Sequence, residues 1–171
     1  MNIKKFRDYF NKTLKKLYPT SEIDTFLFLL LEEYLNFKRI DIVLKSNFEI
    51  SPEDLILLRS STKLLEQEIP IQYILGKTEF YGFPFILNEH VLIPRPETEE
   101  LITSILENVL KTKSFHTNAN EKQLKILDIG TGSGCIPISL KKSLPFAEIT
   151  AIDVSNEALI IAKKNAVLNK V

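Results

Sequence analysis

The chain has 171 residues, 44% of them hydrophobic and 26% charged, which is typical of a globular protein and too apolar for a disordered one. Lys plus Arg and Asp plus Glu number 22 each, so the net charge attracts neither nucleic acid nor an anionic membrane. The single cysteine excludes an internal disulfide, and His90 and His116 lack metal-ligand spacing, so no metal site is predicted. Apolar runs are too short to cross a bilayer and the N-terminus is unlike a signal peptide, so we expect a cytoplasmic protein.

Residues 1–75 contain no glycine and are predicted to form a helical bundle domain. The first predicted helix ends at Pro19, and Ser21 is expected to cap the second, which is apolar nearly all round and therefore suits a bundle interior. A short helix is predicted near 39–45. Ser51 and Pro52 then mark the start of a further helix. One face of the first helix is predicted from apolar residues spaced three or four apart: Ile3, Phe6, Phe10, Leu14 and Leu17.

The sequence pattern changes at Gly76, the first glycine of the chain. Residues 76–95 are predicted to be a β-hairpin linker. The segment TEFYGFPFILN alternates aromatic and polar residues around Gly82, as a hairpin does. VLIP, residues 91–94, is predicted to be a short extended stretch.

Residues 96–171 are predicted to form the first part of an α/β domain. Pro96 begins a helix with acids in its first turn, and the polar segment 114–122 is predicted to be a loop. Strand KILDI, a glycine turn, a helix, strand EITAID and a last helix then follow, an order that predicts parallel strands with helical crossovers. Because two parallel strands alone leave sheet faces uncovered, we expect the sequence to stop within the domain.

The glycine turn is predicted to bind a ligand, since ligands bind at the carboxyl ends of strands in open α/β sheets. A dinucleotide fingerprint would need a glycine at position 135, where this chain has Cys135. Asp128, just before the turn, would repel a diphosphate but suits a cationic ligand such as S-adenosylmethionine. Asp153 ends the second strand, where an acid can bind ribose hydroxyls of either cofactor, or simply cap the next helix.

Three segments match the sequence pattern of one known family. The first runs from Glu68 to Phe80, and departs from the family pattern by Ile69 between the glutamate and the proline. The second, LIPRPETE at 92–99, is intact and is the most specific. The third, DIGTGSG at 128–134, is intact but is shared by many methyltransferases. Through these three segments the chain resembles the release-factor glutamine N5-methyltransferase family, closely over residues 65–171.

The resemblance implies a helical substrate-recognition domain, a hairpin linker and a partial Rossmann-like, S-adenosylmethionine-dependent domain. It implies methyl transfer to the glutamine of the GGQ motif of peptide-chain release factors, by a monomer without nucleic-acid or membrane partners. The family's amide-binding N-P-P-Y motif is not in this sequence, so no catalytic residue is assigned and we expect no methylation by this chain alone. The implied cofactor-binding residues are Gly130, Thr131, Gly132, Ser133, Gly134, Asp128 and Asp153, with Arg95 and Phe80 lining the approach.

Two other functions stay open at the level of sequence. An NAD-binding, dehydrogenase-like domain is disfavoured by Cys135 and Asp128. A non-catalytic fragment could instead bind a partner through its helical part. Cys135 is interpreted as a packing residue, because no base lies nearby in sequence. The basic first helix, with Lys4, Lys5 and Arg7 near its start, is interpreted as a solvated face.

Overall fold

The computed structural model describes residues 1–111 and 124–171. The predicted loop at 114–122, which includes His116, lies outside the described residues. The chain divides into two compact units, Met1–Leu75 and Gly76–Val171. The first is helical and the second mixes helices and strands, so the predicted order of a helical region followed by α and β elements is confirmed at this level. No helix in the described ranges combines the length and apolar character that crossing a membrane requires.

Helix α1 (Ile3–Leu14) begins where the Asn2 side chain accepts a hydrogen bond from the Lys5 amide at 3.0 Å. Ile3, Phe6, Phe10 and Leu14 are buried along one face, as their spacing predicts. Including Leu17 in that face was wrong. The helix ends at Leu14, so Leu17 leaves the helical register and is 44% exposed.

Helix α2 (Thr20–Leu35) starts directly after Pro19, which is itself the N-cap residue at φ −66° and ψ 152°. The prediction that Ser21 caps this helix was wrong, because the proline sets the extended entry one residue before Thr20 and Ser21 lies inside the first turn. The Ser21 carbonyl instead accepts a hydrogen bond from Thr25 Oγ1. The helix is buried at Ile23, Phe26, Leu27, Leu30 and Leu31.

The short helix α3 (Arg39–Leu44) precedes α4 (Pro52–Glu66), which starts as predicted. Ser51 Oγ accepts a hydrogen bond from the Asp54 amide at 3.1 Å and donates to its carboxylate at 2.8 Å. A fifth helix, α5 (Ile71–Leu75), was not predicted separately. Helices α1, α2, α4 and α5 share one core. Its buried residues include Phe6, Phe10, Leu14, Leu30, Leu31, Leu58, Leu65 and Ile71.

The second unit begins with the predicted hairpin, strands β1 (Lys77–Phe80) and β2 (Phe83–Ile86), which pair antiparallel. Tyr81 and Gly82 form the two-residue turn, both with positive φ (52° and 74°), the conformation of a tight hairpin whose twist matches its strands. Residues 91–94 form no strand, although Val91 is buried.

Helix α6 (Pro96–Lys111) is followed by β3 (Lys125–Ile129), α7 (Cys135–Ser143), β4 (Glu148–Ile152) and α8 (Asn156–Asn169). Strands β3 and β4 are parallel, with Asp128 opposite Ala151. One sheet face contributes Ile126 and Ile149 to a core with Phe80, Phe85, Ile102, Cys135, Ile138 and Leu140. The other face is open to solvent, and Leu127 and Ile129 on it are 57% and 73% exposed. The functional roles given to residues 1–75, 76–95 and 96–171 stay predictions.

Candidate functional site

The glycine loop, residues 130–134, joins the end of β3 to the start of α7 and lies beside the end of β4. Because the strands are parallel, their carboxyl ends share one edge of the sheet, where polar residues from both can meet. The contact is direct. The Gly132 amide donates to Asp153 Oδ2 at 2.8 Å, across 21 residues of sequence.

Most main-chain N–H groups of the loop are already bonded within the protein. The amides of Gly130 and Thr131 both donate to the Ile152 carbonyl, at 2.9 and 3.0 Å. The Gly134 amide donates to the Thr131 carbonyl at 2.9 Å, and Gly132 donates to Asp153. A loop that cradles phosphates presents its amides to the ligand. Here four of the five loop amides have protein acceptors, so the loop is a poor phosphate cradle.

Two of the glycines meet different requirements. At Gly132, with φ 54°, an added Cβ would meet nothing within 4 Å, so this position faces open space where a ligand can approach the backbone. At Gly134, with φ 79°, an added Cβ would lie 3.0 Å from Ile138 Cδ1 and 3.2 Å from Ala162 Cβ. Gly134 therefore lets α8 approach α7 closely.

Asp153 directly follows β4 and is half-buried. Its Oδ1 accepts a hydrogen bond from the Ser155 amide at 2.9 Å, and Oδ2 accepts the bond from Gly132. These main-chain donors, Ser155 first and then Gly132, hold the pKa of Asp153 below its ordinary value. The carboxylate is therefore ionised at neutral pH, and each oxygen keeps acceptor capacity for a ligand hydroxyl. The helix cap itself comes from Ser155, whose Oγ accepts from the Ala158 amide.

Two further polar atoms at the loop are buried without a hydrogen-bond partner in the described structure. They are Asp128 Oδ2 and Thr131 Oγ1. Buried polar atoms are nearly always bonded, so a carboxylate oxygen without a protein partner beside this loop is available to accept a hydrogen bond from a bound group. A ligand with N–H or O–H donors and a positive charge would satisfy Asp128, whereas a phosphate would be repelled by it.

Phe80 and Arg95 make none of the contacts with the glycine loop that were described above for Asp153. Phe80 is 2% exposed and packs edge-on against Phe85, with ring centroids 6.1 Å apart. It is therefore part of the core in this structure. Arg95 is exposed, directly before α6, and its carbonyl accepts the Thr98 amide. Their assignment to the cofactor approach stays a prediction.

Cys135 and His90 show no arrangement for catalysis. Cys135 is 9% exposed, and burial raises the pKa of its thiol, with the negative charge of Asp128 acting in the same direction. A thiol of this kind is a packing group. His90 is exposed, with Nε2 3.8 Å from a carboxylate oxygen of its neighbour Glu89.

An apolar cavity of about 440 Å³ lies between α7, β4 and α8. Pro137, Ile138, Leu159 and Ala162 line it, and Thr131 and Gly134 form the part nearest the loop. Its walls are mostly apolar, although Lys141, Glu148 and Lys163 also line it, whereas the carboxylates described above lie at the strand ends. The polar site is therefore the strand-end edge, not this cavity.

Sequence reasoning missed Asn165, which is fully buried on α8. Its Nδ2 donates to the Ser133 carbonyl at 2.9 Å, so it contacts the glycine loop next to Gly132, the residue that Asp153 contacts. A signal was present in the sequence. Asn165 falls on the same helical stripe as Ala158 and Ile161, where an apolar residue is expected.

Strand, glycine loop, helix, parallel strand and terminal acid together define an α/β protein with a candidate ligand site at its strand ends. Comparison with family models refines this class. The PrmC N-terminal domain matches residues 6–76, and the methyltransferase small domain matches residues 103–171.

Curated relatives carry the comparison further. A release factor glutamine methyltransferase of Flavobacterium psychrophilum is 48% identical over all 171 residues of this chain, which correspond to 58% of the relative. Proteins of the same name from Bacteroides thetaiotaomicron and Enterococcus faecalis are 39% identical over 157 residues and 45% identical over 118. These alignments cover 92% and 69% of this chain, and 52% and 39% of those relatives.

The chain belongs to the release factor glutamine methyltransferase family, which confirms the resemblance found in its three motifs. It spans between 39% and 58% of the length of these three relatives.

Proposed function

We propose that this chain is part of an S-adenosylmethionine-dependent methyltransferase that modifies a glutamine side chain of a peptide-chain release factor. The relatives' names support the reaction and the substrate. The observation that carries the cofactor half of the proposal is the loop itself, whose amides are mostly bonded internally while two carboxylates border it. We further propose that β3 to α8 are the first elements of a Rossmann-like sheet.

The residues present fit this cofactor. Asp128 has a buried, unbonded carboxylate oxygen, which would accept a hydrogen bond from the ammonium group of the methionine end. Asp153 is held ionised by the Ser155 and Gly132 amides and would accept hydrogen bonds from ribose hydroxyls. The open space at Gly130 and Gly132 leaves room for a ligand against the backbone.

When bound, S-adenosylmethionine supplies a methyl group on a cationic sulfur, which is a good leaving group. An amide nitrogen is a weak nucleophile, so the protein chiefly has to align nitrogen, methyl carbon and sulfur. The loop, Asp128 and Asp153 would orient the cofactor for that alignment. No Asn-Pro dipeptide occurs in the sequence, so we assign the amide-binding step to no residue of this chain.

Calorimetric titration with S-adenosylmethionine and with NAD at one ionic strength tests the cofactor assignment. We expect S-adenosylmethionine to bind and NAD to bind at least tenfold more weakly, since two carboxylates border the loop (about 1.4 kcal/mol for tenfold). Asp128→Asn keeps the side-chain shape but removes the charge, and should weaken binding about tenfold. Asp24→Asn, the same change on an exposed residue of α2, is the matched control. Tighter binding of NAD would overturn the assignment.

The substrate half needs its own measurement. A release factor titrated into the chain in the presence of S-adenosylhomocysteine should bind. Replacing its target glutamine should leave that affinity nearly unchanged, because no residue of this chain is assigned to the amide. Incubation with labelled cofactor should leave the release factor unmethylated by this chain. Binding of the release factor without any cofactor binding would favour a partner-binding module instead, and methyl transfer would show that the amide-binding groups lie within these 171 residues.

A further inference from the structure

Helix α8 carries two buried asparagines on the face that packs into the second unit. Asn165 is 0% exposed and Asn169 is 5% exposed. An amide taken out of water is costly unless its donors and acceptor find partners. Both side chains are hydrogen-bonded to the hairpin, but only Asn165 is also hydrogen-bonded to the glycine loop.

Asn165 bonds simultaneously to the hairpin and to the glycine loop. Its Oδ1 accepts the Ile86 amide at 2.6 Å, and its Nδ2 donates to the Ile86 carbonyl at 3.0 Å. The side chain thus pairs with both main-chain groups of one residue of β2, as a neighbouring strand would. The remaining amide proton goes to the Ser133 carbonyl at 2.9 Å. Both donors and the acceptor of the side chain are used.

The loop is consequently hydrogen-bonded to two other parts of the unit at adjacent residues. Asp153 binds the Gly132 amide, and Asn165 binds the Ser133 carbonyl. These two bonds fix the orientation of the 131–132 and 133–134 peptide groups, and Ser133 between them is itself buried. A displaced Ser133 carbonyl would also shift Gly134, whose carbonyl accepts the Ile138 amide at the start of α7.

Asn169 provides the comparison within the same helix. Its Nδ2 donates to the Pro84 carbonyl at 2.9 Å and to the Asn165 carbonyl at 3.0 Å. It therefore connects α8 to β2, as Asn165 does. Among the described residues, however, it makes no hydrogen bond to the glycine loop. The two residues share chemistry, burial, helix and hairpin partner.

We propose that Asn165 is a positioning residue for the cofactor loop, coupling the conformation of residues 132–134 to the hairpin strand β2. This inference rests on the proposed function, because the loop is taken to be the cofactor site. Asn165 touches no reacting atom in the proposal. It acts by holding the Ser133 carbonyl and, through it, the backbone against which the cofactor lies.

The test compares Asn165→Asp with Asn169→Asp in the whole chain. An ionised aspartate at 165 keeps an acceptor for the Ile86 amide but cannot donate to Ile86 or Ser133, so the affinity for S-adenosylmethionine should fall about tenfold at pH 8. Lowering the pH restores a donor by protonating the new carboxyl group, so part of the lost affinity should return relative to the parent at the same pH. Asn169→Asp should keep the parent affinity within about twofold while it lowers the unfolding temperature.

A second readout needs no cofactor binding. Amide chemical shifts of residues 132–134 in the free protein should move in Asn165→Asp and stay near their parent values in Asn169→Asp. If the parent binds no S-adenosylmethionine, the proposed function fails, and these shifts still decide whether Asn165 positions the loop. Unchanged shifts, or equal losses of affinity in both variants, would overturn the inference.

If Asn165→Asp does not fold, the parent protein supplies the deciding measurement. The Nδ2 protons of Asn165 should exchange slowly and show scalar coupling across the hydrogen bonds to the carbonyl carbons of Ile86 and Ser133. Coupling to Ile86 alone would show a hairpin fastener without a role at the loop, and would overturn the inference.

Discussion

The two units differ in how their central elements are covered, although both expose apolar side chains, among them Leu44 at 73% in the helical unit. In Met1–Leu75, Phe6, Phe10 and Leu30 are 0% exposed within one core shared by the bundle. In Gly76–Val171, the sheet of β3 and β4 covers one face only, and Ile129 on the other face is 73% exposed. Amphipathic helices can close a core by packing on each other, whereas a two-stranded parallel sheet has two faces and needs a layer on each.

The closed core and the candidate site therefore lie in different units. The closed core belongs to the helical unit, while the glycine loop, Asp128 and Asp153 belong to the unit with an uncovered sheet face. Core substitutions in the helical unit should therefore change its unfolding without changing the loop. Substitutions at the α7–α8 contact should change both the unfolding of the second unit and the conformation of the glycine loop.

The largest effect is expected from Phe10→Ala in the helical core. Phe10 is fully buried and its ring centroid is 5.8 Å from that of Phe6, so the truncation should cost about 3–5 kcal/mol of unfolding free energy. Urea unfolding followed through amide signals of Met1–Leu75 measures it. Phe48→Ala, at an aromatic residue that is 45% exposed, is the control and should cost about 1 kcal/mol. Equal losses would contradict the closed-core description.

In the second unit, Gly134→Ala should cost about 2–4 kcal/mol, because the new Cβ adds overpacking to a left-handed backbone. That Cβ would lie 3.0 Å from Ile138 Cδ1. Gly82→Ala is the matched control, since its φ is 74° but its Cβ would meet nothing within 4 Å. Thermal unfolding of both variants separates the clash from the strain. A loss at Gly82 as large as that at Gly134 would show that α7 and α8 do not depend on the glycine.

A smaller effect is expected from the pH dependence of Asp153. Its pKa is lowered in the folded protein, first by the Ser155 amide and then by the Gly132 amide. The stabilisation is therefore present above the unfolded-state pKa of about 3.9 and is lost as the pH falls through the folded-state value. Asp153→Asn should flatten the fall in stability in that acidic window. Titration of the Asp153 carboxyl carbon by NMR checks the cause directly, and a midpoint at or above 3.9 would contradict it.

The smallest effect is expected on the open sheet face. Ile129→Lys replaces an exposed side chain, so the unfolding free energy should change by less than about 0.5 kcal/mol, while self-association at high concentration should decrease. Ile126→Lys, three residues earlier on the covered face, should cost more than about 2 kcal/mol. Sedimentation velocity and thermal unfolding of the two variants provide the comparison. A large loss from Ile129→Lys would mean that this face is covered in solution.

Local chemistry predicted the elements whose signals lie within a few residues. Ser51 and Pro52 marked the start of α4, and the glycine after Tyr81 marked the hairpin turn. Ser21 and Leu17 were misassigned for a related reason. Apolar spacing and cap preference do not fix the residue at which a helix begins or ends, and Pro19 and the turn after Leu14 decided those boundaries.

At the candidate site, the loop and its acids follow from motif and spacing, but their hydrogen bonds do not. The bond between Gly132 and Asp153 crosses 21 residues and depends on parallel pairing of β3 and β4. The role of Asn165 is harder still to predict from sequence, because its partner Ile86 lies 79 residues away. Phe80 belongs to a motif, yet only the packing against Phe85 shows that its ring lies in the core.

The hairpin turn has a consequence for the order in which the second unit assembles. Tyr81 has a φ of 52°, which is unfavourable for a bulky residue, and its amide donates to Glu99 Oε1 on α6 at 2.7 Å. An isolated hairpin lacks that carboxylate, so we expect β1 and β2 to close only after α6 has formed. Kinetic refolding of Glu99→Ala, which removes the acceptor, should then show slower closure, and an unchanged rate would place hairpin formation ahead of the helix.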